Sequence, residues 1–384
     1  MLSDQGSIDV VVVQNKETQF DAPLYSLIHS SRPFSLFVVY TSASRQLDCL
    51  DQEIGLPPQW DHLVSADYPH LNLRRSNPFA ISGLALQIRR LRPSLVIICG
   101  YYPRSHLVLA LILRLLGVRI GLRSDNTLTH TRLDGVAGQL RQLVVGWIQR
   151  LFQTWHPVGQ QAEAYLRTLS GRDRPCYRFA YAVDNDWFAS KSAESRRQRA
   201  VFLSDQGWPA DSFVVLGIMK WNQREDPLTL LQAFAALRQH VASARLILIG
   251  DGPLRQIISD ECRRLGSVVL CPGYVPYSHL PVWYGRANLF VHPAPNEPWG
   301  CSVLEALACG LPVVAAQGVG SAAEVLTDTT CGMTFPNHSS SDLTSALTHF
   351  AQLASNQTAP SCIRLADRWH YRHTIEAFRS AIHG

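Results

Sequence analysis

Lysine is nearly absent from this sequence. Of 35 basic residues only Lys16, Lys191 and Lys220 are lysines. A bias that uniform reads as genomic, so no single lysine gains weight from its rarity. Paired cysteines are missing as well. Nine cysteines run from Cys49 to Cys362, an odd count with no CxxC among them. That pattern argues against a disulfide framework or a zinc site and for the reduced thiols of a cytoplasmic protein. Cys99 and Cys271 read as small buried hydrophobes. Long apolar runs are also lacking. The most apolar helix candidate, Leu107–Leu113, stops at Arg114, far short of the roughly 20 residues that a membrane span needs. The opening MLSDQGSIDVVVV has neither a basic leader nor a long apolar core, so no signal peptide is expected. Short internal repeats and low-complexity tracts are absent too.

What is present is globular. The chain has 384 residues, 46% hydrophobic and 17% charged, enough for two domains of ~150–200 residues. Its charge is uneven. Residues 1–180 carry 19 Lys+Arg against 13 Asp+Glu, and the rest 16 against 17. The basic half reads either as ordinary surface charge or as a surface for an anionic partner, such as a phosphate-bearing acceptor or a membrane.

Short apolar runs alternate with amphipathic stretches. Val10–Val13, Phe37–Tyr40, Val96–Cys99 and Arg119–Leu122 are the strand candidates of the first half. Helices are expected around Pro23–His29, Pro78–Leu91, Ser105–Leu116 and Val136–Phe152. A polar stretch, Asp184–Arg199, breaks the pattern. Strands then resume at Phe213–Gly217, Leu246–Gly250, Val268–Leu270, Leu289–His292 and Pro312–Ala316. Helices are expected near Pro227–His240, Gly252–Leu265, His279–Tyr284, Cys301–Cys309 and Ala322–Leu326. The reading is α/β: two doubly wound parallel sheets in tandem, facing a cleft, with ligands at the carboxyl ends of the strands.

The densest stretch is Asn288–Ala316, NLFVHPAPNEPWGCSVLEALACGLPVVAA. A buried strand ends at His292-Pro293, and a loop brings Glu297, Trp299 and Gly300. A helix then starts near Cys301 and carries Glu305. Gly300 lets backbone approach a ligand closely, and the first-turn N–H groups of Gly300, Cys301, Ser302 and Val303 suit a diphosphate. Together with GDGPLR at Gly250–Arg255, the run Pro272–Pro293 and GSAAEV at Gly320–Val325, this segment resembles the donor site of glycosyltransferase family four. These are retaining enzymes of the GT-B fold marked by an E-x7-E motif. The likeness is dense over Phe213–Leu347 and loose elsewhere.

The resemblance implies roles. Glu297 would hydrogen-bond the donor sugar beside its anomeric carbon, with Trp299 in the same loop, and Glu305 would bind the ribose. Tyr274 and Val275 would edge the base. The family's G-R-L-x-x-x-K is replaced by Gly217-Ile218-Met219-Lys220-Trp221-Asn222-Gln223-Arg224, with Ile218 where the arginine is expected. Lys220 and Arg224 are then the available cations for the diphosphate, and no metal or other cofactor is expected. The one Asp-x-Asp, Asp184-Asn185-Asp186, falls in the crossover between domains.

In the first half, the loop Gln14–Pro23 has no glycine where many relatives have a Gly-Gly pair. Gln19, Arg104, His106, Arg123, Ser124 and Asp125 are candidates for the acceptor, alongside Tyr101 and Tyr102. The implied layout is an acceptor domain over 1–180, a nucleotide-sugar domain over 181–365 and a tail, 366–384, whose helix packs back on the first domain. The implied partners are a nucleotide sugar and a saccharide or lipid-linked saccharide of envelope polysaccharide synthesis. Peripheral contact with the inner membrane face would suit the basic first half; no nucleic acid is expected. Two other readings share the fold: a nucleotide-sugar epimerase, and a non-catalytic relative that binds a nucleotide sugar or a partner.

Overall fold

A computed structural model describes residues 8–42, 67–73, 77–129, 131, 133–353 and 358–384. Cys49 lies outside them. The chain divides into two compact units. The first runs to Ala182 and takes back Tyr371–Gly384, and the second contains Val183–His370.

The first unit holds six parallel strands: β1 (Val10–Gln14), β2 (Leu36–Tyr40), β3 (His70–Asn72), β4 (Leu95–Cys99), β5 (Ile120–Ser124) and β6 (Thr154–Pro157). Their order is β3-β2-β1-β4-β5-β6. The continuous Val10–Val13 run is explained by burial on both faces. Val11 and Val13 join one core cluster and Val10 and Val12 another, as the two-residue period of a strand requires. Helices α1 (Asp21–Ser31), α2 (Pro78–Leu91), α3 (Arg104–Leu115), α4 (Gly135–Gln149) and α5 (Gln160–Ser170) follow the strands.

The second unit repeats the plan. Its strands are β7 (Phe213–Ile218), β8 (Ala244–Ile249), β9 (Val269–Gly273), β10 (Leu289–His292), β11 (Val313–Ala316) and β12 (Gly332–Phe335), all parallel, ordered β12-β11-β10-β7-β8-β9. Its helices are α6 (Asn185–Arg197), α7 (Arg199–Asp205), α8 (Pro227–Leu237), α9 (Arg255–Leu265), α10 (Leu280–Arg286), α11 (Cys301–Ala308), α12 (Ala322–Val325), α13 (Ser340–Gln352) and α14 (Thr358–Asp367). Counted from its own first strand, each sheet has the order 3-2-1-4-5-6 of a doubly wound nucleotide fold.

The final helix, α15 (Tyr371–His383), returns to the first unit. Phe378 meets Phe179 edge-on at 4.7 Å, and the Arg119 guanidinium donates to the Ala381 carbonyl at 2.7 Å. The α/β architecture and the returning helix are thus as expected.

One expectation fails. The polar stretch Asp184–Arg199 is not a break but the helix α6. Asp184 caps it by accepting from the Trp187 N–H at 3.0 Å. Its buried face carries one large apolar residue, Phe188, and otherwise Asn185, Ser192 and Ser195. A Cβ on Gly285 of α10 would lie 2.4 Å from the Ser192 carbonyl oxygen and 2.9 Å from the Ser195 Cβ. Close helix contact through small residues leaves no apolar stripe for periodicity to find.

The cysteines also differ in detail from expectation. Cys99 and Cys271 are only part-buried, whereas Cys309, Cys331 and Cys362 are buried. The Cys262 and Cys271 thiols lie 2.6 Å apart, because α9 and β9 run side by side after the short turn that joins them.

Candidate active site

In a doubly wound sheet, ligands bind beyond the carboxyl ends of the two strands where the order reverses. In the second unit these are β7 and β10, hydrogen-bonded neighbours. Their extensions are the loops Met219–Asp226 and Pro293–Gly300, the two segments that the motifs single out.

The loops meet through charge. Arg224 donates to Glu297 at 2.9 Å through one terminal nitrogen and to Glu225 at 2.6 Å through the other. Glu297 is 21% exposed and Glu225 8%. The remaining oxygen of Glu297 accepts from the Gly300 N–H at 3.2 Å and the Trp299 N–H at 3.4 Å. The Glu297 carboxylate is therefore fixed from its own loop and from the loop after β7. The Glu297 carbonyl accepts from the Gly320 N–H at 2.8 Å. A Cβ on Gly320 would lie 2.0 Å from the Pro298 carbonyl oxygen, which explains the first residue of GSAAEV.

Beside this cluster lies His292, the last residue of β10. It is 4% exposed, and neither ring nitrogen has a hydrogen-bond partner among the described residues. Burial pushes its pKa below the ordinary value, against the pull of Glu297. Sequence reasoning missed His292 and Glu225. The available signal was position, since each stands at or just beyond a strand end of the switch point. Glu225, His292 and Glu297 offer ligand atoms within 4.8 Å of one another, but Arg224 already spans the two carboxylates and supplies positive charge between them.

The helix α11 begins at Gly300, whose φ of 85° is a left-handed conformation that favours glycine. Two of the N–H groups assigned to a diphosphate are engaged: Gly300 donates to Glu297 and Val303 to the Gly300 carbonyl at 3.1 Å. Val303 is buried, and Cys301 and Ser302 are part-exposed. Glu305 is not on a solvated face. It is 4% exposed and accepts from the Tyr277 and Tyr284 hydroxyls, each at 2.9 Å. Burial lifts its pKa to about 7, with the two tyrosine hydrogen bonds opposing.

Other assignments fall differently. The Trp299 ring is buried and packs on Trp369 at 5.1 Å, so it holds the loop rather than facing a ligand. Gly217 lies inside β7, where a Cβ would be 2.7 Å from the Leu230 side chain, which makes it a packing residue. Lys220 is half-buried just past β7, and Tyr274 and Val275 are part-buried just past β9, both at carboxyl ends of the sheet.

The first unit has a cavity at its own switch point, beyond β1 and β4. Its volume is about 380 Å³, and its lining includes Gln14, Lys16, Tyr101, Tyr102, Asp125 and Asn126. Of the acceptor candidates, Asp125 lines it and accepts from the Tyr181 hydroxyl at 3.0 Å. Arg123 reaches its floor but is 4% exposed, paired with Asp21 at 2.8 Å and stacked 3.6 Å over the Phe179 ring. It ties the unit together. His106 is fully buried, held by the Cys99 carbonyl at 3.1 Å and the Thr41 hydroxyl at 2.9 Å, and burial lowers its pKa. It is a core histidine. Ser124 is buried and accepts from the Asn126 N–H at 3.3 Å. Arg104 opens α3 and Gln19 sits in the turn before α1; neither lines the cavity.

Comparison with known proteins agrees with the motifs. Residues 199–364 match the family model described as glycosyl transferases group 1. Among curated relatives, the D-inositol 3-phosphate glycosyltransferase 2 of Catenulispora acidiphila is 31% identical over 176 residues, 43% of this chain and 40% of the relative. The alpha-monoglucosyldiacylglycerol synthase of Acholeplasma laidlawii is 24% identical over 126 residues, 32% of each. The chain thus spans less than half the length of these relatives. Among solved structures, a glycosyltransferase of Rickettsia africae superposes with a TM-score of 0.75 at 11% identity, covering 98% of this chain and 99% of that one. Anabaena HepE in complex with UDP and glucose gives 0.69 at 16% identity, covering 98% and 100%. The fold is that of GT-B glycosyltransferases, and the resemblance to group 1 of those enzymes holds for residues 199–364.

Proposed function

We propose that this protein transfers a sugar from a nucleoside-diphosphate sugar to a hydroxyl of a saccharide or lipid-linked saccharide, retaining the anomeric configuration. The observation that carries the reading is the Arg224–Glu297 pair, 2.9 Å apart at the switch point of the second sheet. Glu297 is a fixed acceptor for donor-sugar hydroxyls. Arg224 is a cation beside it, suited to the charge that develops on the leaving diphosphate. Lys220 is a second cation at the end of β7, and Glu305 would receive the ribose hydroxyls. On this reading side chains supply the positive charge and no metal is needed. The acceptor's proton passes to the leaving phosphate, so no separate base is required. The cavity of the first unit, with its tyrosines, amides and Asp125, is the acceptor candidate.

Similarity to a neighbour solved with UDP and glucose supports a nucleotide-sugar donor, and similarity to a curated alpha-monoglucosyldiacylglycerol synthase supports transfer of a sugar to a hydroxyl. A polysaccharide pathway at the inner face of the membrane is consistent with it. A panel of nucleotide sugars in a thermal-shift assay tests the donor, because a ligand bound only by the native state raises its stability by mass action. The donor that shifts the midpoint should then be consumed when acceptor lipid extract is added. Stabilisation without consumption favours a non-catalytic relative, and conversion of the donor without acceptor favours an epimerase.

A further inference from the structure

One helical layer of the first unit is built inside out. The helix α4 buries Gly138, Val145, Gly146 and Gln149 and turns Val136, Leu140, Leu143, Val144 and Trp147 to solvent. Leu140 is 61% exposed and Trp147 68%. The five exposed positions recur at helical spacing and form one stripe. A Cβ on Gly146 would lie 2.3 Å from the Leu169 carbonyl oxygen, so the helix is seated by its glycine side and cannot roll to hide the stripe. Helix α3 adds Val108, Leu111 and Leu115, and α2 adds Phe79 and Leu86, all exposed. All three helices cover the same face of the sheet, since their buried residues join one core cluster. Single exposed apolar residues are ordinary, but a five-residue apolar stripe along one helix, with further exposed apolar residues on the same side of the sheet, marks an interaction surface.

Charge selects the partner. Between Tyr68 and Ala162 the only acidic residues are Asp125 and Asp134. Arg89, Arg90, Arg104, Arg114 and Arg141, all exposed, lie on these same three helices. A second copy of this surface would set arginine against arginine. Anionic headgroups would neutralise the arginines while acyl chains received the stripe. No helix among the described residues is long and apolar enough to cross a membrane. We propose that the face formed by α2, α3 and α4 docks on an anionic lipid bilayer, with the arginines at the phosphates and the α4 stripe at the acyl boundary. This deepens the partner reading above and rests on it only for the purpose of docking.

The test uses the full chain without donor, sedimented with vesicles of phosphatidylglycerol and phosphatidylcholine and, separately, of phosphatidylcholine alone. Binding is expected to the anionic vesicles and should weaken with salt. Arg141→Gln should lower the partition coefficient about fivefold. The pair Leu143→Gln with Trp147→Ala should lower it about tenfold or more. All three side chains are exposed, so an unchanged circular dichroism spectrum and melting midpoint should accompany the loss. Absence of binding to either vesicle, equal binding to both, or binding that survives both variants overturns the proposal. A dimer that dissociates in the Leu143/Trp147 variant overturns it in favour of self-association. Vesicle binding by a protein that turns over no donor supports the surface while removing the activity. Transfer to a soluble acceptor by a protein that binds no vesicle does the reverse.

Discussion

Replacing Glu305 by Gln should make the protein more stable and a worse donor binder. The carboxyl is buried beneath Tyr277 and Tyr284, and burial carries its pKa to about 7 against an ordinary 4.5. In the unfolded chain it ionises near 4.5. Below that value both states hold the proton, and the group contributes no pH dependence. Between 4.5 and 7 the unfolded state has lost the proton that the folded state keeps, so stability falls as pH rises. Above 7 both are ionised and the full penalty is present. Across that window the penalty is about 3 kcal/mol. Glu305→Gln removes the charge and leaves both tyrosine hydroxyls a partner, so urea melts should show a gain that is negligible near pH 4.5 and reaches that order at pH 8. The affinity should move the other way. Loss of charge-assisted hydrogen bonds to ribose is worth roughly 1.5–3 kcal/mol, which calorimetry reads as a ten- to hundredfold weaker donor. Ribose hydroxyls favour the ionised carboxyl, so donor binding near pH 6 should also release a proton, seen as a dependence of binding heat on the buffer. Identical pH profiles for wild type and variant would refute the burial argument. Unchanged affinity would remove Glu305 from the donor site.

Three further outcomes follow from the same geometry. Arg224→Ala should lower turnover by a factor on the order of 10²–10³, as for loss of one charge stabiliser in the transition state. Lys220→Ala should stay near wild type, since Arg224 is the cation held at Glu297; wild-type turnover in both singles and the double would end the diphosphate assignment. Activity should survive EDTA, and a requirement for added Mn²⁺ or Mg²⁺ would instead point to Glu225, His292 and Glu297, whose ligand atoms lie together. Asp21→Ala should cost about 3–5 kcal/mol in chemical denaturation, because it strands the buried Arg123 guanidinium. A loss under 1 kcal/mol would mean that stacking on Phe179 and carbonyl hydrogen bonds hold Arg123 alone.

Strands were legible in the sequence where buried faces coincide with an unbroken apolar run; β6 is buried throughout but was missed, because Thr154, His156 and Pro157 interrupt any such run. Runs such as VVVV at Val10–Val13 and LFVH at Leu289–His292 stand out without neighbours, because parallel strands under helices need apolar side chains at every position. The short edge strands β3 and β12 did not stand out. His70–Asn72 and Met333–Thr334 are only partly covered, so no run or alternation betrays them. The α6 helix was illegible for a different reason: apart from Phe188, its buried face is serines and an asparagine set against a close-approach glycine, and these carry no hydrophobic period. The donor loop was legible because backbone proximity restricts its residues. Gly300 needs a left-handed φ and Gly320 a bare Cα against Pro298, so geometry holds both positions to glycine.

The acceptor candidates divide for the complementary reason: Tyr101, Tyr102 and Asp125 line the cavity of the first unit, and Gln19, Arg104 and His106 do not. Strand-end logic points to the carboxyl ends of β1 and β4, where the cavity of the first unit lies, but it does not say which way each side chain turns. Arg123 and Ser124 close β5, and both are buried. His106, in the first turn of α3, points inward to the carbonyls of Cys99 and Gly100. Lys16, Asp125 and Asn126, which also line the cavity, lie one or two positions beyond the strand ends. A strand direction fixes where the chain leaves a sheet, but only packing decides which of the next few side chains is left facing solvent. In the second unit the same ambiguity is resolved by charge: a part-exposed arginine between two carboxylates has one direction of lowest energy, and it points at Glu297.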